Sequence, residues 1–167
     1  MKKFKIVALS LLVLFTAASF KKQARPDAPN FTLESLDGKM VSLSSFKGKT
    51  VYIDVWATWC KPCLMEIPYS KKLKERFAGN DSIAFVYISI DNNDNIQGWK
   101  DMVAKKEMGG THLISRGGQE EKLLDRYAIA TIPRFIVIDK EGKIAYFNAP
   151  APSNPATYDA LKKIISE

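Results

Sequence analysis

The chain has 167 residues, 46% of them hydrophobic, two cysteines and a formal net charge of +7. This length suffices for one domain with a substantial core, and the ordinary apolar share argues against disordered, collagenous or repeat architectures. The basic excess is local. Of 25 Lys and Arg, six (Lys2, Lys3, Lys5, Lys21, Lys22, Arg25) precede the first acid, Asp27, which leaves 19 basic against 18 acidic side chains in the rest. A phosphate-binding face needs clustered cations. Lys71-Lys72 with Lys74 reads instead as a solvated helix face, so no nucleic-acid partner is expected.

Met1 to Lys5 is a charged start, Ile6 to Phe20 is an apolar run, and Thr16-Ala17-Ala18-Ser19 supplies small residues. This is the pattern of a secretory signal peptide. The run is shorter than the ~20 residues that span a bilayer comfortably. Residues 1–19 are therefore expected to be a cleaved signal, or failing that an uncleaved anchor, which would be the only tie to a membrane. The location expected is extracytoplasmic, and periplasmic in a Gram-negative host. Residues 20–29, with Pro26 and Pro29, are expected as an extended linker, and 30–167 as a single domain.

Phe31-Thr32-Leu33 and Met40 to Leu43 alternate apolar and polar residues about Asp37-Gly38, which predicts a hairpin. Val51 to Trp56 is a β-rich run, and a helix follows to about Phe77, with Leu64, Ile67, Leu73 and Phe77 inward and Pro68 interrupting it. Ile83 to Ile90 reads as a buried parallel strand. Asp91 to Asn95 offers N-caps for a helix carrying Ile96, Trp99, Met102 and Val103 on one face, with Gly109-Gly110 as its stop. A short strand over 111–115, a helix over 120–127 and a strand over 134–138 follow. Asp139 to Gly142 turns that strand into 143–147. Asn154-Pro155 is expected to cap a final helix with Pro at its first position, its stripe being Tyr158, Leu161, Ile164 and Ile165. The order implies a central mixed sheet with helices on both faces.

The two cysteines stand three apart in Cys60-Lys61-Pro62-Cys63. A loop this small gains little chain entropy from closure, so the pair suits opening and closing better than stapling. At a helix start, unpaired N–H groups and the positive end of the macrodipole favour a thiolate. Cys60 is thus the expected nucleophile, with Lys61 adding positive charge and Pro62 stiffening the turn. Cys63, expected to be the more buried, resolves the mixed disulfide. Cys63 must lose a proton first. Asp54, in the middle of an apolar strand, and Glu66, one helical turn beyond Cys63, are the candidate acceptors.

Asp54 to Cys63 resembles the active-site segment of thioredoxins, and Pro68 and Ile132-Pro133 match two further landmarks of that fold. The resemblance implies a cis Ile132–Pro133 bond facing the cysteines, with the backbone at Ile132 receiving substrate and Trp59 on the exposed rim touching it. Pro26 to Leu33, Asp37-Gly38-Lys39, Trp56-Ala57-Thr58-Trp59-Cys60 and Glu66-Ile67-Pro68 are similar to the TlpA/ResA-like branch of exported thioredoxins. So are an N-terminal β-hairpin extension and a helix-and-strand insertion over about 92–115. What this branch implies is a reductant of protein disulfides, for example one that keeps apocytochrome c thiols reduced, recharged by a membrane thiol-transfer protein. No cofactor beyond the Cys60–Cys63 disulfide is expected. Arg134 departs from the threonine common after the cis-proline.

Other chemistries fit less well. An oxidant or isomerase would use the same site, because direction is set by reduction potential. A zinc site wants four ligands, and a thioredoxin-like copper carrier uses a wider cysteine spacing. His112 is the sole histidine and reads as a strand or loop residue, so no metal is expected. A peroxiredoxin would need Pro at Ile53 and Thr at Ala57. Trp99 reads as core.

Overall fold

The computed structural model describes residues 24–116 and 119–167. The expected signal segment 1–19 lies outside them. The strands are β1 (Thr32–Ser35), β2 (Met40–Ser42), β3 (Thr50–Trp56), β4 (Ile83–Ser89), β5 (Thr111–Ile114), β6 (Arg134–Ile138) and β7 (Ile144–Tyr146). The helices are α1 (Lys61–Glu75), α2 (Ile96–Lys105), α3 (Gln119–Arg126) and α4 (Thr157–Ile165). One sheet runs β2-β1-β5-β4-β3-β6-β7. Pairing is parallel for β3–β4 and β4–β5 and antiparallel elsewhere.

Side-chain alternation along the central strands divides the core in two. Tyr52, Trp56, Phe85, Tyr87, Phe135 and Val137 face α1, α2 and α4. Val51, Ile53, Val55, Val86, Ile88 and Ile136 face the other way, where Leu123 of α3 and Tyr127 cover them together with Phe31, Leu33 and Leu43. β3 and β4 are apolar on both faces because both faces are covered, as in parallel sheets generally. The mixed α/β fold with helices on both faces is as expected. The hairpin β1–β2 adds to the sheet through β5, the strand of the expected insertion.

Several boundaries differ from the expectation, each for a local reason. Residues 25–29 are extended, but they are fastened to the domain rather than free. Pro26 accepts from Ile144 N at 2.9 Å, Ala28 N donates to Gly142 O at 2.9 Å, and Arg25 pairs with Asp139 and Glu167. α2 ends at Lys105, before Gly109-Gly110, and Glu107 takes the left-handed turn at φ 50°. Gly110 is needed for a different reason. Its φ is +113°, and a Cβ there would come within 2.9 Å of the Phe85 carbonyl. Asn154 does not cap α4. Its side chain accepts from Ala156 N at 2.9 Å, forming a turn that delays the helix to Thr157.

Candidate active site

β3 delivers the chain to one end of the sheet at Trp56, and α1 leaves from there at Lys61. The turn between them is closed by Cys60 N donating to Ala57 O at 3.1 Å. Cys60 is the N-cap of α1, and its Sγ accepts from Cys63 N at 3.3 Å. The two cysteines form a disulfide with Cα atoms 5.2 Å apart. One orphan N–H of the first turn, that of Cys63, therefore points at the sulfur expected to attack, at the positive end of the helix. Lys61 and Pro62 occupy the first two helical positions and are exposed.

Cys63 was expected to be the more buried, yet Cys60 and Cys63 are 4% and 3% exposed. The closed disulfide draws both sulfurs into the core cluster beneath α1. Trp59 is 63% exposed beside them and forms the rim. β6 runs antiparallel to β3 with Arg134 opposite Val55, which puts Pro133 level with Trp56 at the cysteine end of the sheet. The Ile132–Pro133 bond is cis, and Ile132 packs against the cluster containing both cysteines. Arg134 leans away, its Nη1 donating to Phe147 O at 3.5 Å.

Asp54 shares the α1-facing parity of Tyr52 and Trp56 and is buried. Its Oδ1 has no protein hydrogen-bond partner among the described residues. Burial first, and the charge of Glu66 second, push its carboxyl up to about 8. Such a group exchanges protons near neutral pH. Glu66 is half-buried, and both its oxygens are taken by Ser153, which donates from its N–H at 2.9 Å and its hydroxyl at 2.7 Å. Tyr52 donates to Pro150 O at 3.0 Å. The segment joining β7 to α4 is thus tied to the floor of the site at two points. Nothing in the sequence singled out Ser153.

A second buried carboxylate, Asp91, belongs to the run expected to offer N-caps for α2. Asp91 instead turns back to the active-site loop, with its Oδ2 accepting from Thr58 N at 3.0 Å and its Oδ1 from the Thr58 hydroxyl at 2.6 Å. His112 is buried in β5, stacked on Tyr87 at 4.7 Å, with Nε2 bonded to Met108 O at 2.9 Å. Burial holds its ring neutral by lowering its pKa to about 4. Trp99 is fully buried. Among the described residues no group of three or more His, Cys, Asp or Glu is placed to hold a metal.

A mixed sheet with a Cys-X-X-Cys disulfide capping a helix, and a cis-proline level with it, defines a thioredoxin-like thiol–disulfide oxidoreductase. The chain belongs to the Redoxin family, whose profile matches residues 23–163. It is 29% identical to the thiol-disulfide oxidoreductase ResA of Bacillus thuringiensis subsp. konkukian over 177 aligned positions, covering 98% of this chain and 99% of that one. It is 31% identical to ResA of Bacillus cereus (strain ZK / E33L) over 138, covering 83% and 76%. Among solved structures it resembles the thioredoxin domain of a Bacteroides vulgatus thiol-disulfide oxidoreductase, with TM-score 0.75, 27% identity and coverage of 85% and 98%. A thiol:disulfide interchange protein from Bacteroides sp. gives 0.74, 26%, 86% and 90%. The TlpA/ResA-like relationship expected from the motifs holds, and the substrates of such an enzyme are protein thiols and disulfides.

Proposed function

We propose that this protein is an extracytoplasmic reductant of protein disulfides, with Cys60 as nucleophile and Cys63 as resolving thiol. The observation that carries the reading is the Cys60–Cys63 pair capping α1 just past the end of β3, the strand that buries Asp54 with its Oδ1 unpartnered among the described residues. In the reduced protein the Cys60 thiolate attacks one sulfur of a substrate disulfide. A Cys60–substrate bond forms and the other substrate sulfur leaves as a thiolate. Cys63 then passes its proton to the Asp54 carboxylate and attacks Cys60 Sγ. The second substrate thiol is released, and two electrons have moved from the protein to its substrate. Glu66 acts on this step through the Asp54 charge. Trp59, Ile132 and Pro133 form the surface the substrate lies against.

A strong oxidant owes its potential to a stabilised reduced form. Here the Glu66 carboxylate, one helical turn beyond Cys63, opposes the helix N-terminus and Lys61, which argues for a reductant. Export rests on the sequence of residues 1–19, and recharging by a membrane thiol-transfer protein rests on the TlpA/ResA-like resemblance. Equilibration in glutathione buffers tests the direction. A potential at or below about −200 mV is expected, and one near that of DsbA, about −120 mV, would overturn the reductant.

A further inference from the structure

Beneath the turn that carries Cys60 lies a polar cluster that the sulfur chemistry does not use. Asp91 is fully buried just past the end of β4, where a carboxylate without partners would be costly. Both its oxygens are filled. Besides the two Thr58 donors, Oδ2 accepts from the Ser89 hydroxyl at 2.7 Å and Oδ1 from the Asn95 amide at 3.2 Å. The Asn95 amide also donates to the Thr58 hydroxyl oxygen at 2.8 Å. Carboxylate oxygens, acceptors only, suit this ring of four donors.

The cluster acts on one place. Thr58 is held by residues 33 and 37 positions away in sequence. It is two residues from Cys60, a separation that the chain keeps within about 7 Å between Cα atoms. With Cys60 N bonded to Ala57 O, residues 57–60 are one tight turn, so a fixed Thr58 fixes Trp59 and Cys60. A second observation is Gly98, in the first turn of α2. Alanine is ordinarily the better helix former, but a Cβ at Gly98 would overlap Asn95 Oδ1. Glycine leaves the space that the Asn95 side chain occupies.

The geometry points to Asp91 as a positioning residue for disulfide exchange: acting through Thr58, with Asn95 closing the cluster, it holds the turn that presents Cys60 Sγ and Trp59 to an incoming disulfide. This deepens the proposed function and rests on it. Asp91 does not touch the sulfurs. Bonded to Thr58, two residues before Cys60, its negative charge also opposes the Cys60 thiolate. The other ionisable groups at this end include Asp94 beside Asn95, Lys61 at the start of α1, Asp54 of β3, Glu66 of α1 and Arg134 of β6, and the variants below leave all five in place.

Asp91→Asn keeps the size and removes the charge; with its amide nitrogen in place of Oδ1 it can donate to a turned Thr58 hydroxyl, while the Asn95 amide loses its bond to residue 91 and keeps the one to the Thr58 oxygen. Gly98→Ala keeps the charge and displaces Asn95. In a Cys63→Ser background, the pH midpoint of Cys60 alkylation is expected to fall by about one unit in Asp91→Asn, a tenfold change in the thiolate equilibrium, and to stay put in Gly98→Ala. With both cysteines present, kcat for reducing a protein disulfide is expected to fall about tenfold and about threefold respectively, KM changing little, as for groups misplaced in the transition state. A wild-type midpoint together with a wild-type kcat in Asp91→Asn refutes the proposal. So does a loss of exchange in both variants that follows the loss of folded protein by circular dichroism. Should Asp91→Asn not fold, Gly98→Ala decides by its kcat alone. If the wild-type protein reduces no protein disulfide, the proposed function fails, and exchange with a small-molecule disulfide, slowed in both variants or unchanged, still decides the role of Asp91.

Discussion

Asp54→Asn is expected to make the oxidised protein more stable, and increasingly so as pH rises. Asp54 sits on β3 among apolar neighbours, and burial followed by the Glu66 charge pushes its carboxyl up to about 8, against 3.8 for an ordinary aspartate. The folded chain therefore holds this proton more tightly than the unfolded chain. Its contribution to stability is complete below about pH 4 and is lost progressively as pH climbs toward 8. Between pH 5 and pH 7 the loss is about 2–3 kcal/mol, at about 1.4 kcal/mol per unit. A neutral amide does not titrate, so the variant should lack this decline. Denaturant unfolding of the oxidised protein at the two pH values measures it. If wild type and variant lose stability in parallel, Asp54 is not the buried acid described. The same variant leaves Cys63 without its acceptor, and the resolving step should slow by about 10²-fold, the ordinary worth of a positioned general base.

The two cysteines should fail in different ways when replaced. Cys60→Ser removes the attacking sulfur, and reduction of a protein disulfide should drop by at least about 10³-fold, since a serine hydroxyl supplies no thiolate at neutral pH. Cys63→Ser leaves the attack intact and removes the resolving thiol. One round of attack should therefore proceed at close to the wild-type rate and stop at a Cys60–substrate mixed disulfide, visible as a covalent adduct on a non-reducing gel. Adducts from Cys60→Ser in place of Cys63→Ser would reverse the assigned roles. The helix geometry favours the stated order, because Cys60 is the N-cap and receives the Cys63 N–H.

The elements that hold the site were legible because their signals are local. β3 and β4 are continuous apolar runs between turn residues, and the Cys-X-X-Cys spacing by itself places both sulfurs on one helical turn. The proline before β6 was legible as a landmark, by resemblance. What escaped depends on distant partners. Asp91 within Asp-Asn-Asn-Asp-Asn reads as a cap because nothing nearby shows that its oxygens turn to Thr58, 33 residues back. Glu66 is legible from its local spacing to Cys63, but its bond to Ser153 spans 87 residues. Residues 25–29 read as a linker because proline signals an extended chain and does not reveal what the chain lies against. The equal burial of Cys60 and Cys63 follows from their closed disulfide, a state that helix periodicity does not encode.

In the proposed reaction Cys60 and Cys63 together deliver two electrons to a protein disulfide. Its most direct test is a single anaerobic turnover, mixing fully reduced protein with an equimolar protein disulfide and mapping the products by mass spectrometry. One Cys60–Cys63 disulfide should appear for each substrate disulfide opened. A substrate that stays closed while both thiols of this chain remain free would rule out the dithiol as the electron source.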